Sequence, residues 1–236
     1  MKKLVISAIA LAALSQAAGC IFVSDDTGDD VPAGTGTVTA SWTLYDDQAT
    51  TGCPAGGDTA AIYAQRAGDA TPYVDLYDCV DGTGSAMDLP LGDYTVWVEI
   101  GDGSGFVAQS QPAAISLATD GQVTTAFFEI DVYNGFFDVS WTINGGSCST
   151  IANNGVSVLS TASGTTSGVD DVFDCADGEN PAIATTGALP VADYVISVAL
   201  LESGGNAAIG QADEIQESIT FGNEFVDLGN VTINLF

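Results

Sequence analysis

The feature that most narrows what this chain can fold into is an internal repeat about 100 residues long. Thr39-Ala40-Ser41-Trp42-Thr43-Leu44 is answered by Asp138-Val139-Ser140-Trp141-Thr142-Ile143, an offset of 99. Tyr77-Asp78-Cys79-Val80-Asp81-Gly82 is answered by Phe173-Asp174-Cys175-Ala176-Asp177-Gly178, an offset of 96. Leu89-Pro90-Leu91-Gly92-Asp93-Tyr94-Thr95-Val96 is answered by Leu189-Pro190-Val191-Ala192-Asp193-Tyr194-Val195-Ile196, an offset of 100. Three ordered matches at a nearly constant spacing describe two collinear copies of a domain-sized unit, too long for a solenoid repeat.

Inside each copy the apolar residues alternate. Val38, Ala40, Trp42 and Leu44 share one face, as do Phe137, Val139, Trp141 and Ile143; Tyr94, Val96, Val98 and Ile100 are matched by Tyr194, Ile196, Val198 and Leu200. Period two is the signature of half-buried strands, and Gly, Asn, Asp and Pro punctuate them throughout. About seven short strands in roughly 100 residues predicts an all-β fold of two tandem antiparallel β-sandwich domains. The predicted boundaries are 36–132 for the first and 133–236 for the second.

Each copy holds one cysteine after its first strand, Cys53 or Cys148, and one at the end of a later strand, Cys79 or Cys175. Four cysteines permit three pairings, and only Cys53–Cys79 with Cys148–Cys175 treats the copies alike while keeping each bond inside one fold. On the loop-entropy account a bond of either span contributes about 3.5 kcal/mol. A four-cysteine zinc site is disfavoured, because no Cys-x-x-Cys pair is present.

The fifth cysteine has another setting. Residues 1–20 read as a short basic start, an apolar stretch from Leu4 to Leu14, then small residues ending in Gly19-Cys20, the layout of an export signal. The apolar stretch is shorter than the ~20 residues needed to span a bilayer. Ala17-Ala18-Gly19-Cys20 resembles the lipobox of bacterial lipoproteins, in which the cysteine is diacylated and becomes the first residue after cleavage. That resemblance covers these twenty residues and implies a signal peptide over 1–19, lipid attachment at Cys20, and a membrane partner reached through the N-terminal lipid. It departs at Ala17, where Leu is commonest in the family. Ile21 follows the cysteine where inner-membrane lipoproteins of enteric bacteria carry Asp, which implies the outer membrane. Lipidating Cys20 also leaves an even number of cysteines for disulfides. Residues 20–35 then form the lipidated cysteine and an acidic, Gly/Pro-rich tether that is expected to be disordered. Asp26-Thr27-Gly28 in that tether matches the aspartic-protease triplet, but it lacks apolar flanks and a second copy.

The Leu-Pro-x-Gly-x-Tyr-x-Val run of the first copy resembles prealbumin-like and carboxypeptidase-regulatory-like sandwiches of bacterial envelope proteins, within the wider Ig-like class. The whole arrangement is similar to a group of envelope lipoproteins of predatory and marine Gram-negative bacteria. In them a Ser-Trp-Thr strand, a Cys pair and a Leu-Pro-x-Gly-x-Tyr strand recur. The resemblance implies a fold more than a function. Pilin modules of related fold cross-link through a Lys-Asn isopeptide bond, and after Cys20 this chain has no Lys.

Composition bears on function by exclusion. The chain has 31 Asp and Glu, three Lys and Arg and no His, and Lys2 and Lys3 fall in the leader, so Arg66 is the one base of the mature chain. Such a surface repels phosphate backbones, which argues against nucleic acid as a partner. Ser-His, Cys-His, Schiff-base and His-metal chemistry have no residues to work with. No cofactor and no metal are expected. The acidic loops with Asp78, Asp81 and Asp88, and with Asp174, Asp177 and Glu179, lack the spacing of a calcium loop and read as solvated. Carboxylate density of this kind keeps a surface hydrated in high salt, which is the favoured reading; the alternative is that the charge is specific and meets a basic partner.

Trp42 and Trp141 are assigned to the core. Trp97 has the opposite parity to Tyr94, Val96 and Val98, so it points outward, and Ser197 stands at its place in the second copy. An outward Trp is the candidate contact surface for an envelope protein or a glycan. The sequence therefore reads as a lipid-anchored cell-envelope protein acting as a non-catalytic binding, adhesion or structural module. The alternatives are a glycan- or peptide-binding lipoprotein and, more distantly, a carboxylate-based hydrolase, which needs two acids across a cleft.

Overall fold

A computed structural model describes residues 34–102 and 105–236. The predicted signal peptide, Cys20 and most of the predicted tether lie outside the described residues. Among the described residues, strands carry the whole of the regular structure apart from two 3₁₀ turns, Cys79–Asp81 and Cys175–Asp177. In the first repeat they are β1 (Thr35–Asp46), β2 (Ala49–Thr50), β3 (Thr59–Arg66), β4 (Tyr73–Asp78), β5 (Thr83–Pro90), β6 (Gly92–Asp102), β7 (Gly105–Gln109), β8 (Ala113–Leu117) and β9 (Val123–Asp131). In the second they are β10 (Asn134–Asn144), β11 (Asn153–Ala162), β12 (Val169–Phe173), β13 (Ala184–Thr185), β14 (Leu189–Pro190), β15 (Ala192–Glu202), β16 (Ala208–Gln211), β17 (Ile215–Ile219) and β18 (Phe225–Leu235).

Nine strands per repeat exceed the expected seven partly because one edge is interrupted. In the first repeat β7 and β8 both pair with β6, and the break between them falls at Gln111-Pro112, where proline has no N–H to continue a ladder. β16 and β17 divide the same edge of β15 in the second repeat.

The first repeat has two sheets. One joins β2, β1, β5 and β9; the other runs β4-β3-β6 and ends in β7 and β8. The sandwich is not purely antiparallel, which corrects the sequence expectation. β9 runs parallel to β1 from Thr37↔Val123 to Tyr45↔Asp131, and β18 runs parallel to β10 in the second repeat. The period-two pattern places a residue on a face but carries no strand direction, so this pairing between the first and last strands of each repeat had no local signal. In the second repeat β16 also pairs with β18, joining all nine strands into one sheet.

Each repeat has its own buried cluster. Val38, Ala40, Trp42 and Leu44 of β1 meet Tyr94, Val96, Val98 and Ile100 of β6 in one; Phe137, Val139, Trp141 and Ile143 meet Tyr194, Ile196, Val198 and Leu200 in the other. Two tethers recur in both cores. The Trp42 indole N–H donates to the Cys79 carbonyl at 2.9 Å and the Trp141 indole N–H to the Cys175 carbonyl at 2.8 Å. The backbone N–H groups of the same tryptophans donate to Gly82 O at 2.9 Å and Gly178 O at 2.7 Å. The Asp-Cys-x-Asp-Gly run is therefore a tight turn gripped at both ends by one tryptophan. Gly178 has no room for a side chain, since a Cβ there would lie 2.4 Å from the Trp141 ring.

The second tether explains the Leu-Pro-x-x-x-Tyr motif. Tyr94 Oη donates to Pro90 O at 2.5 Å and Tyr194 Oη to Pro190 O at 2.6 Å, with both rings buried. Each hydroxyl holds the corner before its strand, as a tyrosine corner does in other sandwiches. Burial, reinforced by the neighbouring Tyr73 and Asp69 and opposed by Arg66, pushes the Tyr94 phenol up from 10.0 to about 12. Burial also raises Tyr194.

A phenol held above its unfolded value stabilises the fold while it stays protonated. That contribution is complete below about pH 10 and disappears as the pH rises toward 12. Thermal melts should accordingly show the melting temperature falling between pH 10 and 12. Tyr94→Phe, which costs about 1 kcal/mol at neutral pH, should flatten that fall. Ser160 supplies an opposite case. Its Oγ is buried with no hydrogen-bond partner, while the equivalent residue of the first repeat is Ala64. Ser160→Ala should raise stability by about 1 kcal/mol in urea denaturation.

Candidate functional site

The four later cysteines form two bonds, Cys53–Cys79 and Cys148–Cys175, across sequence separations of 26 and 27. Cys79 and Cys175 do not end a strand; each opens the 3₁₀ turn gripped by the tryptophan, and each is buried. The bond thus ties the loop after the first strand to the element that the first strand already holds.

The acidic loops are less free than the sequence implies. Glu179 is not simply solvated: its Oε1 accepts the Cys148 backbone N–H at 2.9 Å, so it pins the disulfide loop. Among the described residues no group of three Asp, Glu, Cys or His side chains converges as a metal site would require.

Trp97 lies on the outer face of the β4-β3-β6 sheet, half-buried, in register with Tyr63 of β3. The two rings stack with centroids 4.9 Å apart and planes 4° from parallel. Trp97 Nε1 donates to Glu99 Oε1 at 3.0 Å. Burial, and then the hydrogen-bonding influence and charge of the neighbouring Glu99 carboxylate, push the Tyr63 phenol up to about 12. One carboxylate thus holds the polar edge of Trp97 and lies close enough to Tyr63 to act on its hydroxyl. Val74 pairs with Tyr63 and Leu76 with Ala61, which puts both on this face, where they are 45% and 68% exposed. Tyr63 and Glu99 were not singled out in the sequence. Glu99 shares the parity of Trp97 two residues away, but Tyr63 joins them only through the β3–β6 register.

A second feature lies where the repeats meet. Gly222 N donates to Val107 O at 2.8 Å and Gln109 N to Gly222 O at 3.1 Å, and the Phe106 and Phe221 rings meet edge to face. Asn223, with φ of 61°, is buried and donates from Nδ2 to Gln109 O at 3.0 Å. Buried Asp131 accepts at Oδ1 from the backbone N–H groups of Tyr133 and Asn134 and from Asn134 Nδ2. Tyr45, Asp47, Glu129, Asp131, Phe136 and Asn223 line an open cavity of about 500 Å³ beside this junction. It gathers three carboxylates, but Asp131 is committed to the turn between the repeats.

Comparison with known families and with curated proteins finds no match. Several solved structures show a distant likeness. The Bacillus anthracis TIE protein is 12% identical at a TM-score of 0.31, with 86% of this chain covering 34% of that one, so the chain spans about a third of its length. The minor pilin of Streptococcus agalactiae is 12% identical at a TM-score of 0.31, covering 86% of this chain and 97% of that one. The fimbrial anchor protein of Porphyromonas gingivalis is 13% identical at a TM-score of 0.29, covering 76% and 82%.

Removing one disulfide at a time checks the role given to the bonds. Cys53→Ala with Cys79→Ala, and separately Cys148→Ala with Cys175→Ala, should each cost about 3.5 kcal/mol in guanidinium unfolding. A loss below about 1 kcal/mol for either pair would show that the tryptophan clamp holds the turn without the bond.

Proposed function

We propose that this chain is a lipid-anchored protein of a Gram-negative cell envelope, held at the outer membrane because Ile21 rather than Asp follows Cys20, working as a non-catalytic binding, adhesion or structural module. The observation that carries the reading is the disulfide whose second cysteine is buried against a buried tryptophan in each repeat. Such bonds form and persist in an oxidising compartment, in keeping with an export signal before Cys20. Residues 36–132 and 133–236 act as two sandwich domains, a division supported by their separate cores.

The non-catalytic reading follows from what the polar groups do. With no His anywhere and no Lys after Cys20, acid–base chemistry falls to carboxylates. Asp131, Glu179 and Glu99 are each engaged in hydrogen bonds that hold a turn, a disulfide loop or a pair of rings. The glycan- or peptide-binding alternative draws on one specific feature, the outward Trp97 with its stacked partner.

Metabolic labelling with a palmitate analogue tests the anchor. The wild-type protein should be labelled and sediment with membranes, and Cys20→Ser should be unlabelled. Label that persists in the Cys20→Ser protein would defeat the lipid reading. A salt series tests the surface: sodium and potassium chloride should raise the melting temperature alike and steadily up to 1 M, as the Debye length falls from about 10 Å to about 3 Å. A saturable calcium effect surviving 1 M salt, and removed by Asp81→Asn or Asp177→Asn, would instead make the acidic loops ion sites.

A further inference from the structure

The two repeats serve as an internal control on each other. They share the tryptophan clamp, the disulfide and the tyrosine corner, residue for residue. On the outer sheet face they differ. By strand register, Leu159 stands for Tyr63, Ser197 for Trp97, Ala199 for Glu99 and Asp170 for Val74. The second repeat folds the same strands without any member of the trio, so the trio is not a requirement of the fold.

We propose that the outer face of the β4-β3-β6 sheet, built on Tyr63, Trp97 and Glu99, is a docking site for a Lys- or Arg-bearing segment of a partner protein, with Val74 and Leu76 receiving the apolar residues beside its cations. This names the partner class of the binding role proposed above and rests on that reading.

Three properties of the face select a cation. Stacked aromatic rings beside a carboxylate attract a guanidinium or ammonium group through the ring quadrupole and through charge. Glu99 is preorganised by the Trp97 indole N–H it accepts, so its position is set before anything binds. Among the described residues its charge has no base to meet it, because Arg66 is the sole base there and has the opposite parity to Tyr63 on β3. A neutral sugar could stack on the same rings. It carries no charge, however, so the Glu99 carboxylate would offer it no more than a hydrogen bond. The field of 31 acids also favours a basic partner and speeds its approach.

The experiment titrates the full exported protein with an octapeptide of alternating Lys and Val, with its Lys-to-Gln counterpart, and with cellotetraose, following tryptophan fluorescence and heat. The substitutions are those the second repeat already tolerates: Tyr63→Leu, Trp97→Ser and Glu99→Ala. The Lys/Val peptide should bind at one site, weaken with salt, and lose about tenfold or more in affinity with Trp97→Ser, which leaves net charge unchanged. The Gln peptide should bind far more weakly. Thermal melts should show each variant folded. Grafting Leu159→Tyr, Ser197→Trp and Ala199→Glu together should create a second site. Equal peptide binding by wild type and Trp97→Ser would overturn the proposal, since attraction would then come from overall charge alone. Cellotetraose binding that Trp97→Ser abolishes, without peptide binding, would overturn it in favour of a glycan platform. Binding of neither probe would remove this face and leave the lipid-labelling result, on which the anchored-module reading stands, untouched.

Discussion

The structure depends on one side chain used twice. The tryptophan of each first strand fills the core with its ring and spends its indole N–H on the carbonyl of the second half-cystine. Its backbone N–H goes to the glycine closing the same turn. A buried carbonyl left without a donor costs about 1–3 kcal/mol, so the turn and the ring need each other. The disulfide then anchors the preceding loop to that turn. Ser-Trp-Thr, the two cysteines and Asp-Gly recur together because they are parts of one device.

Charge has little part in holding this fold, and the reason is compositional. With Arg66 as the one base of the described residues, ion pairs cannot form a network. The carboxylates that matter structurally accept N–H groups instead: Asp131 at the turn between the repeats, Glu179 at the Cys148 loop, Glu99 under the Trp97 and Tyr63 rings. Hydrogen bonds to a charged acceptor are among the stronger ones, which suits a chain that has acids in excess. The remaining acids keep the surface hydrated.

Duplication also separates what the fold requires from what it merely permits. Positions that build the clamp and the corner are the same in both copies. Positions on the outer sheet face have drifted apart: Tyr63, Trp97 and Glu99 in the first copy stand where Leu159, Ser197 and Ala199 stand in the second. The junction differs again, because its polar contacts of Val107 and Gln109 with Gly222 and Asn223 join one copy to the other and so have no counterpart inside a single repeat.

Much of the architecture was legible in the sequence because its causes are local. Alternation put Trp42 and Trp141 inside and Trp97 outside, since successive side chains on a strand point to opposite faces. The repeat made the two halves equivalent, and cysteine spacing limited the pairings. What the sequence could not carry was everything set by which strands lie side by side. The parallel β1–β9 and β10–β18 pairs, the link between β16 and β18, the Asn223 junction and the meeting of Tyr63 with Trp97 and Glu99 all join residues distant along the chain. Period two says which way a residue faces but not what stands beside it. Only the tertiary structure, through its strand register, decides that.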